Sequence, residues 1–134
     1  MYDYMWELHS SPYQRRMIAE INNNYNLDFV LMDGIKAFVT GGPEKGKVVE
    51  PNLLLASRDR VAIDAVGVAI LKMYGAKGKV GEADVFEQDQ LKRAAELGFG
   101  VKSVAEVRLT PLSEESRVEA ERIEQVLKGQ IVTH

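Results

Sequence analysis

The sequence contains no cysteine in 134 residues. That absence excludes disulfides, a thiolate nucleophile, and any iron–sulfur cluster or zinc held by cysteines of this chain. It fits a reducing cytoplasm, which is the expected location. Long apolar runs are missing too. No stretch approaches the ~20 residues that cross a bilayer as a helix, so no membrane span is expected. Met1-Tyr2-Asp3-Tyr4-Met5-Trp6-Glu7 lacks the basic and apolar segments of a signal peptide. There is no excess of one charge: the net charge is −3 with both signs interspersed, which predicts no general nucleic-acid affinity. HExxH, GxGxxG and a Ser-His-Asp order are absent. His9 stands without a second ligand partner, so no metal site is expected.

What is present is enough for one α/β domain over residues 1–134, since 46% of the residues are apolar. The expected architecture is layered, with a small mixed sheet, a β-hairpin insertion and about four helices. Ser11-Pro12-Tyr13-Gln14 predicts a helix start, with Ser11 as cap and Gln14 closing a capping box. Tyr13, Met17, Ile18 and Ile21 recur at helical spacing, and Asn22-Asn23-Asn24 would end the helix in a left-handed exit. Leu27 to Met32 and Leu53 to Ala56 read as buried strands. Ala37-Phe38-Val39 and Lys47-Val48-Val49 read as the arms of a hairpin with a long tip. Arg58 to Tyr74 is the strongest helix, capped by Ser57 or Asp59 and ended by Gly75. A helix follows over residues 85–97, then a short strand over residues 105–109. Ser113 caps a last helix that would bury Val118, Ile123, Val126 and Leu127. The tail from Gln130 to His134 is frayed or a short edge strand. Residues 1–10 read as an interface arm. Its Tyr2, Tyr4, Met5 and Trp6 would meet a partner subunit or a second copy of the chain.

The chemistry-bearing residues gather around a glycine-punctuated crossing. Gly41-Gly42-Pro43-Glu44-Lys45-Gly46-Lys47 matches the first part of a phosphate-binding P-loop. Val48 stands where that loop needs Ser or Thr, and the following segment is β-like and ends in Pro51, so no helix receives the phosphate. Two readings stay open: a mobile hairpin tip, or consecutive glycines exposing N–H groups as an anion nest with Lys45 or Lys47 adding charge. Asp64 lies within a helix that is apolar nearly all round, so its carboxylate must be hydrogen-bonded or paired. It either locks a loop or serves as proton carrier or cation ligand. Asp33, at a strand end before Gly34, is a turn residue or a ligand contact. Asp59 caps a helix or, if Ser57 caps instead, faces a pocket. His9, before a helix start, suits an anion contact. Gln88, Asp89 and Gln90 read as a solvated helix face.

Three blocks in order resemble a known family: Met17-Ile18-Ala19-Glu20-Ile21-Asn22, the run from Met32-Asp33-Gly34 through Thr40-Gly41-Gly42-Pro43, and the run from Leu54-Leu55-Ala56-Ser57 through Asp64-Ala65-Val66-Gly67. They look like the C-terminal half of the DUF362 proteins, bacterial and archaeal proteins of unassigned function, some with a ferredoxin-like iron–sulfur segment. The resemblance runs from Leu8 to Leu109 and implies that Asp33, Gly34, Gly42, Pro43, Asp59, Asp64 and Gly67 fall on motif positions. Typical members are longer, with an N-terminal half that would precede Met1, so the expectation is a truncated or split member. The family's iron–sulfur association does not transfer to a chain without cysteine.

The leading expectation is a domain that binds a small anionic ligand or cofactor at one cleft. Asp33 and Asp64 would do proton or cation chemistry, with Gly34, Gly41, Gly42, Lys45, Lys47, Asp59 and His9 around the ligand. Two alternatives stand beside it: the inactive half of a redox-associated or metal-dependent enzyme, and an assembly module.

Overall fold

The computed structural model describes residues 4–42 and 44–130. The expectations for Tyr2, Pro43 and the tail from residue 131 onward lie outside the described residues.

The fold is α/β. Its helices are α1 (Tyr4–Ser10), α2 (Gln14–Asn22), α3 (Arg60–Met73), α4 (Lys79–Glu82), α5 (Asp89–Leu97) and α6 (Glu114–Leu127). Its strands are β1 (Val30–Gly34), β2 (Ala37–Phe38), β3 (Val48–Val49) and β4 (Leu53–Ser57). The strands form two antiparallel ladders. β1 pairs with β4, setting Met32 opposite Leu55, and β2 pairs with β3, setting Ala37 opposite Val49. The β2–β3 pair is the expected hairpin. Val39 continues it by donating to the Lys47 carbonyl, and Lys77, after α3, donates to the Val39 carbonyl.

The core is organised by α3. Its Val61, Ala65, Val66, Ala69, Ile70 and Met73 are buried against Ala19 of α2, Leu91 and Ala94 of α5, and Ile123, Val126 and Leu127 of α6. Asp59 starts α3: one carboxylate oxygen accepts from the N–H groups of Val61 (2.8 Å) and Ala62 (3.0 Å). The Ser57 hydroxyl supports this cap by accepting from the Asp59 N–H at 2.9 Å. Ser113 starts α6 in a capping box closed by Ser116.

Several local expectations are corrected. α2 begins at Gln14, because the Ser11 hydroxyl accepts from the Tyr13 N–H and ties off a turn ahead of the helix. Asn23 leaves α2 with right-handed backbone, and the side chains of Asn22 and Asn24 instead donate to the carbonyls of Ile18 and Glu20. The strands of the β1–β4 ladder are half-buried rather than buried. α3 covers one face, and Leu31 and Leu54 on the other are 60% and 67% exposed. Residues 104–106 form a 3-10 turn where a strand was expected, and 85–87 form another ahead of α5. Val118 is exposed, since the buried stripe of α6 begins only at Ile123.

Candidate functional site

A hollow of about 190 Å³ opens where α2, β1 and α5 meet the first turns of α3. Its walls include Asn22, Met32, Arg60, Asp64, Gln90 and Phe99. α3 sets the arrangement: residues 60 and 64 are one helical turn apart and share a face. Met32 reaches the hollow because alternate β1 residues face α3. Its thioether lies 3.2 Å from where a Cβ on Gly67 would stand. The missing side chain of Gly67 leaves room for the Met32 thioether.

Asp64 accepts a hydrogen bond from the Gln90 amide at 2.8 Å. Burial holds its carboxyl above the usual carboxylate range, and the Gln90 bond opposes that shift. One oxygen is thus anchored in a site that favours the protonated form. Gln90 is half-buried in the first turn of α5, not on a solvated face. Gln88 is buried as well, its amide turned to the carbonyls of Lys79, Val80 and Ala83.

Arg60 lines the same hollow one helical turn before Asp64. Its guanidinium donates to the carbonyls of Asn22 (2.6 Å) and Tyr25 (2.7 Å), and lies over the rings of Tyr25 and Phe99 at 5.0 and 5.6 Å. Two of its five donors are engaged there, which pins the cation without exhausting it. Arg60, Asn22, Met32 and Phe99 were not singled out as site residues from the sequence, and Gln90 was read as part of a solvated face. Only the Arg60–Asp64 spacing of one helical turn offered a signal.

Of the residues singled out, Asp64 alone lines this hollow. Asp33 sits one residue after Met32, so its side chain leaves the opposite face of the ladder. It is exposed and accepts from the Ile35 N–H at 2.8 Å. Asp59 has both oxygens engaged, the second accepting from the Val101 N–H at 2.9 Å. Gly34 lies against the Leu53 carbonyl across the ladder. Gly41 and Gly42 take left-handed backbone at the hairpin tip, where the Gly42 N–H donates to Lys45 and the Lys47 N–H to the Thr40 hydroxyl. Lys45 and Lys47 are exposed at that tip. His9 is exposed in the last turn of α1, 3.2 Å from the Gln14 amide. The three aspartates therefore do not share one hollow.

No group of three or more His, Cys, Asp or Glu side chains able to hold a metal occurs among the described residues. No helix among them is long and apolar enough to cross a membrane.

One prediction follows from the Asp64 environment. A carboxyl whose pKa is raised by folding contributes most below its unfolded value near 3.8, and that contribution is lost as pH rises through the folded value. Asp64→Asn keeps an oxygen for Gln90 and removes the ionisation. The variant is expected to melt above the native chain at pH 7, with the gap closing towards pH 3. A gap independent of pH would show that Asp64 does not titrate differently on folding.

Comparison with known proteins gives one match. The model for DUF362, Domain of unknown function (DUF362), matches residues 3–69, half of the chain. That segment runs from the N-terminal region through both ladders and into α3, ending short of the Leu109 limit of the sequence resemblance. No curated protein and no solved structure matches the chain.

Proposed function

The chain belongs to the DUF362 family, and from that premise we propose that it binds a small anionic ligand in the hollow between Asp64 and Arg60. The observation that carries this reading is geometric: a guanidinium pinned through two of its donors and a half-buried carboxyl held by Gln90 line one small hollow. An anion entering there meets the unused donors of Arg60. It also meets Asp64, whose carboxyl burial holds above the usual carboxylate range, so its charge opposes the anion less than an exposed carboxylate would. Met32 and Phe99 supply apolar wall, so a short organic acid fits better than a bare inorganic ion. The volume suits a ligand of a few heavy atoms and is below the range of drug-sized sites.

In this reading Asp64 holds or moves the proton, Gln90 positions it and Arg60 orients the anion. Asp33, Asp59, His9 and the glycine–lysine hairpin are not among the residues that line this hollow and have no part in binding the ligand.

Titration with acetate and propionate, followed by NMR shifts of the Met32 methyl and the Gln90 side-chain amide, tests it. Arg60→Gln is expected to weaken propionate binding about tenfold or more, as loss of a charge-assisted contact does. Asp64→Asn is expected to weaken it while melting at or above the native temperature at pH 7. Shifts that are absent, or unaltered in both variants, refute the site.

The assembly reading has its own support. Phe29, Leu31, Ile35 and Leu54 are more than half exposed on and beside the outer face of the β1–β4 ladder. Tyr4, Met5 and Trp6 of α1 are exposed as well. Light scattering before and after removal of residues 1–7, and with Leu31→Asp, separates the two surfaces. Association that survives both changes discards this reading.

A further inference from the structure

A second hollow, about 670 Å³, lies away from Asp64. It opens between the end of α3, the 3-10 turns at 85–87 and 104–106, and the C-terminal end of α6. Every residue on its wall follows residue 69, so it lies outside the segment that matches the family. Its wall is mainly apolar, with Phe86, Val104, Val107 and Leu127 among the contributors.

The charges on its rim are unequally engaged. Glu87 is paired with Lys92 at 2.7 Å, and Glu124 with Lys128 at 3.7 Å. Lys128 also offsets the negative end of the α6 dipole. Three charges then remain: Lys72, Arg108 and Asp84. Lys72 donates to the carbonyls of Gly81 (2.8 Å) and Ala83 (2.7 Å), which engages two of its three N–H bonds with neutral acceptors. Arg108 turns one guanidinium nitrogen back to the carbonyls of Ala105 and Val107, so its Nε and second terminal nitrogen have no hydrogen bond among the described residues. Lys72 and Arg108 thus keep unused donors on a largely apolar wall that they share with the exposed carboxylate of Asp84.

We propose that this hollow is a second binding site, for an amphipathic anion with a carboxylate or phosphate head on an apolar body. The head meets Arg108 and Lys72, and the body lies on Val104, Val107 and Leu127. The volume falls within the range of sites that enclose a drug-sized molecule. This site is independent of the Asp64 hollow, and either can fail without the other.

The test uses the full chain with octanoate, octyl phosphate, octanol and octylammonium as probes, read by the methyl NMR signals of Val104, Val107 and Leu127. Octanoate or octyl phosphate is expected to shift these signals and to bind at least about tenfold more tightly than octanol or octylammonium. Arg108→Gln should remove about tenfold of that affinity and leave octanol unchanged. Lys72→Met should act in the same direction. Because Lys72 also holds the 81–83 carbonyls, the Arg108 variant is the one that decides if Lys72→Met unfolds. Asp64→Asn should leave octanoate binding as it was. Signals that do not move with either anion, octylammonium binding as tightly as octanoate, or an unaffected Arg108→Gln variant would each overturn the proposal. So would shifts confined to the Met32 methyl.

Discussion

In urea, Asp59→Ala is expected to lose about 3 kcal/mol of folding stability, roughly the sum of a lost helix cap and an orphaned partly buried amide. One carboxylate oxygen terminates α3 by accepting from Val61 and Ala62, and the other holds the Val101 N–H, 42 residues along the chain. Alanine strands all three donors. Val61 is buried and Ala62 and Val101 are half-buried, so none of the three regains water freely. The space beside Asp59 is already filled: a Cβ placed on Gly100 would lie 2.7 Å from its carboxylate and 2.5 Å from Val61. Asp59→Asn should fall between the two. Its carbonyl can still cap, but its amide would face the Val101 N–H donor to donor, at a cost of about 1–2 kcal/mol. Ser57→Ala should cost less, about 0.5–1 kcal/mol, since it removes one supporting bond. A shift below about 0.5 kcal/mol for Asp59→Ala would mean that the cap and the Val101 tie are not formed together, given what such losses usually cost.

Leu91→Ala is expected to cost about 2–5 kcal/mol, the range for deleting a buried leucine side chain where the surroundings relax only partly. Leu91 is 1% exposed, belongs to the α3-centred core and lines the Asp64 hollow. The deletion would therefore enlarge that hollow as well as loosen the core. Denaturant midpoints measure the stability loss. The same protein, titrated with acids of increasing chain length, should shift its preference from propionate towards butyrate or valerate. A loss within the range of surface substitutions would remove Leu91 from the core, and an unchanged chain-length preference would separate it from the binding site.

Much of the fold was legible because its causes are local. The α3 cap, the Gly75 exit and the Ser113 start depend on residues within one turn of each helix end. The hairpin flanking Gly41-Gly42 follows from β-prone arms around residues that tolerate left-handed backbone. Reading failed where two local solutions compete. Ser11 could cap a helix or close a turn, and it closes a turn. Ala105 to Leu109 alternates like a strand, but it pairs with no strand among the described residues, and residues 104–106 coil into a 3-10 turn.

The candidate site was half legible. The apolar surroundings of Asp64 in the sequence required its burial, and burial raises its pKa. Asp33 and Asp59 were also read as site residues, each with a local alternative, a turn for Asp33 and a helix cap for Asp59. Nothing in their neighbourhoods along the chain says that one turns outward from a two-stranded ladder, or that the other is already bound to a loop 42 residues away.

By itself the sequence determined the central apolar helix, a cap at Ser57 or Asp59, the hairpin and the impossibility of cysteine chemistry, because periodicity, capping and composition act over a few residues. Tertiary structure alone decided which carboxylate meets a hollow and beside what. Gln90 comes from 26 residues away, and the Asn22 and Tyr25 carbonyls that pin Arg60 come from 38 and 35 residues away. Desolvation and hydrogen bonding at that point arise only once α2 and α5 are packed on α3.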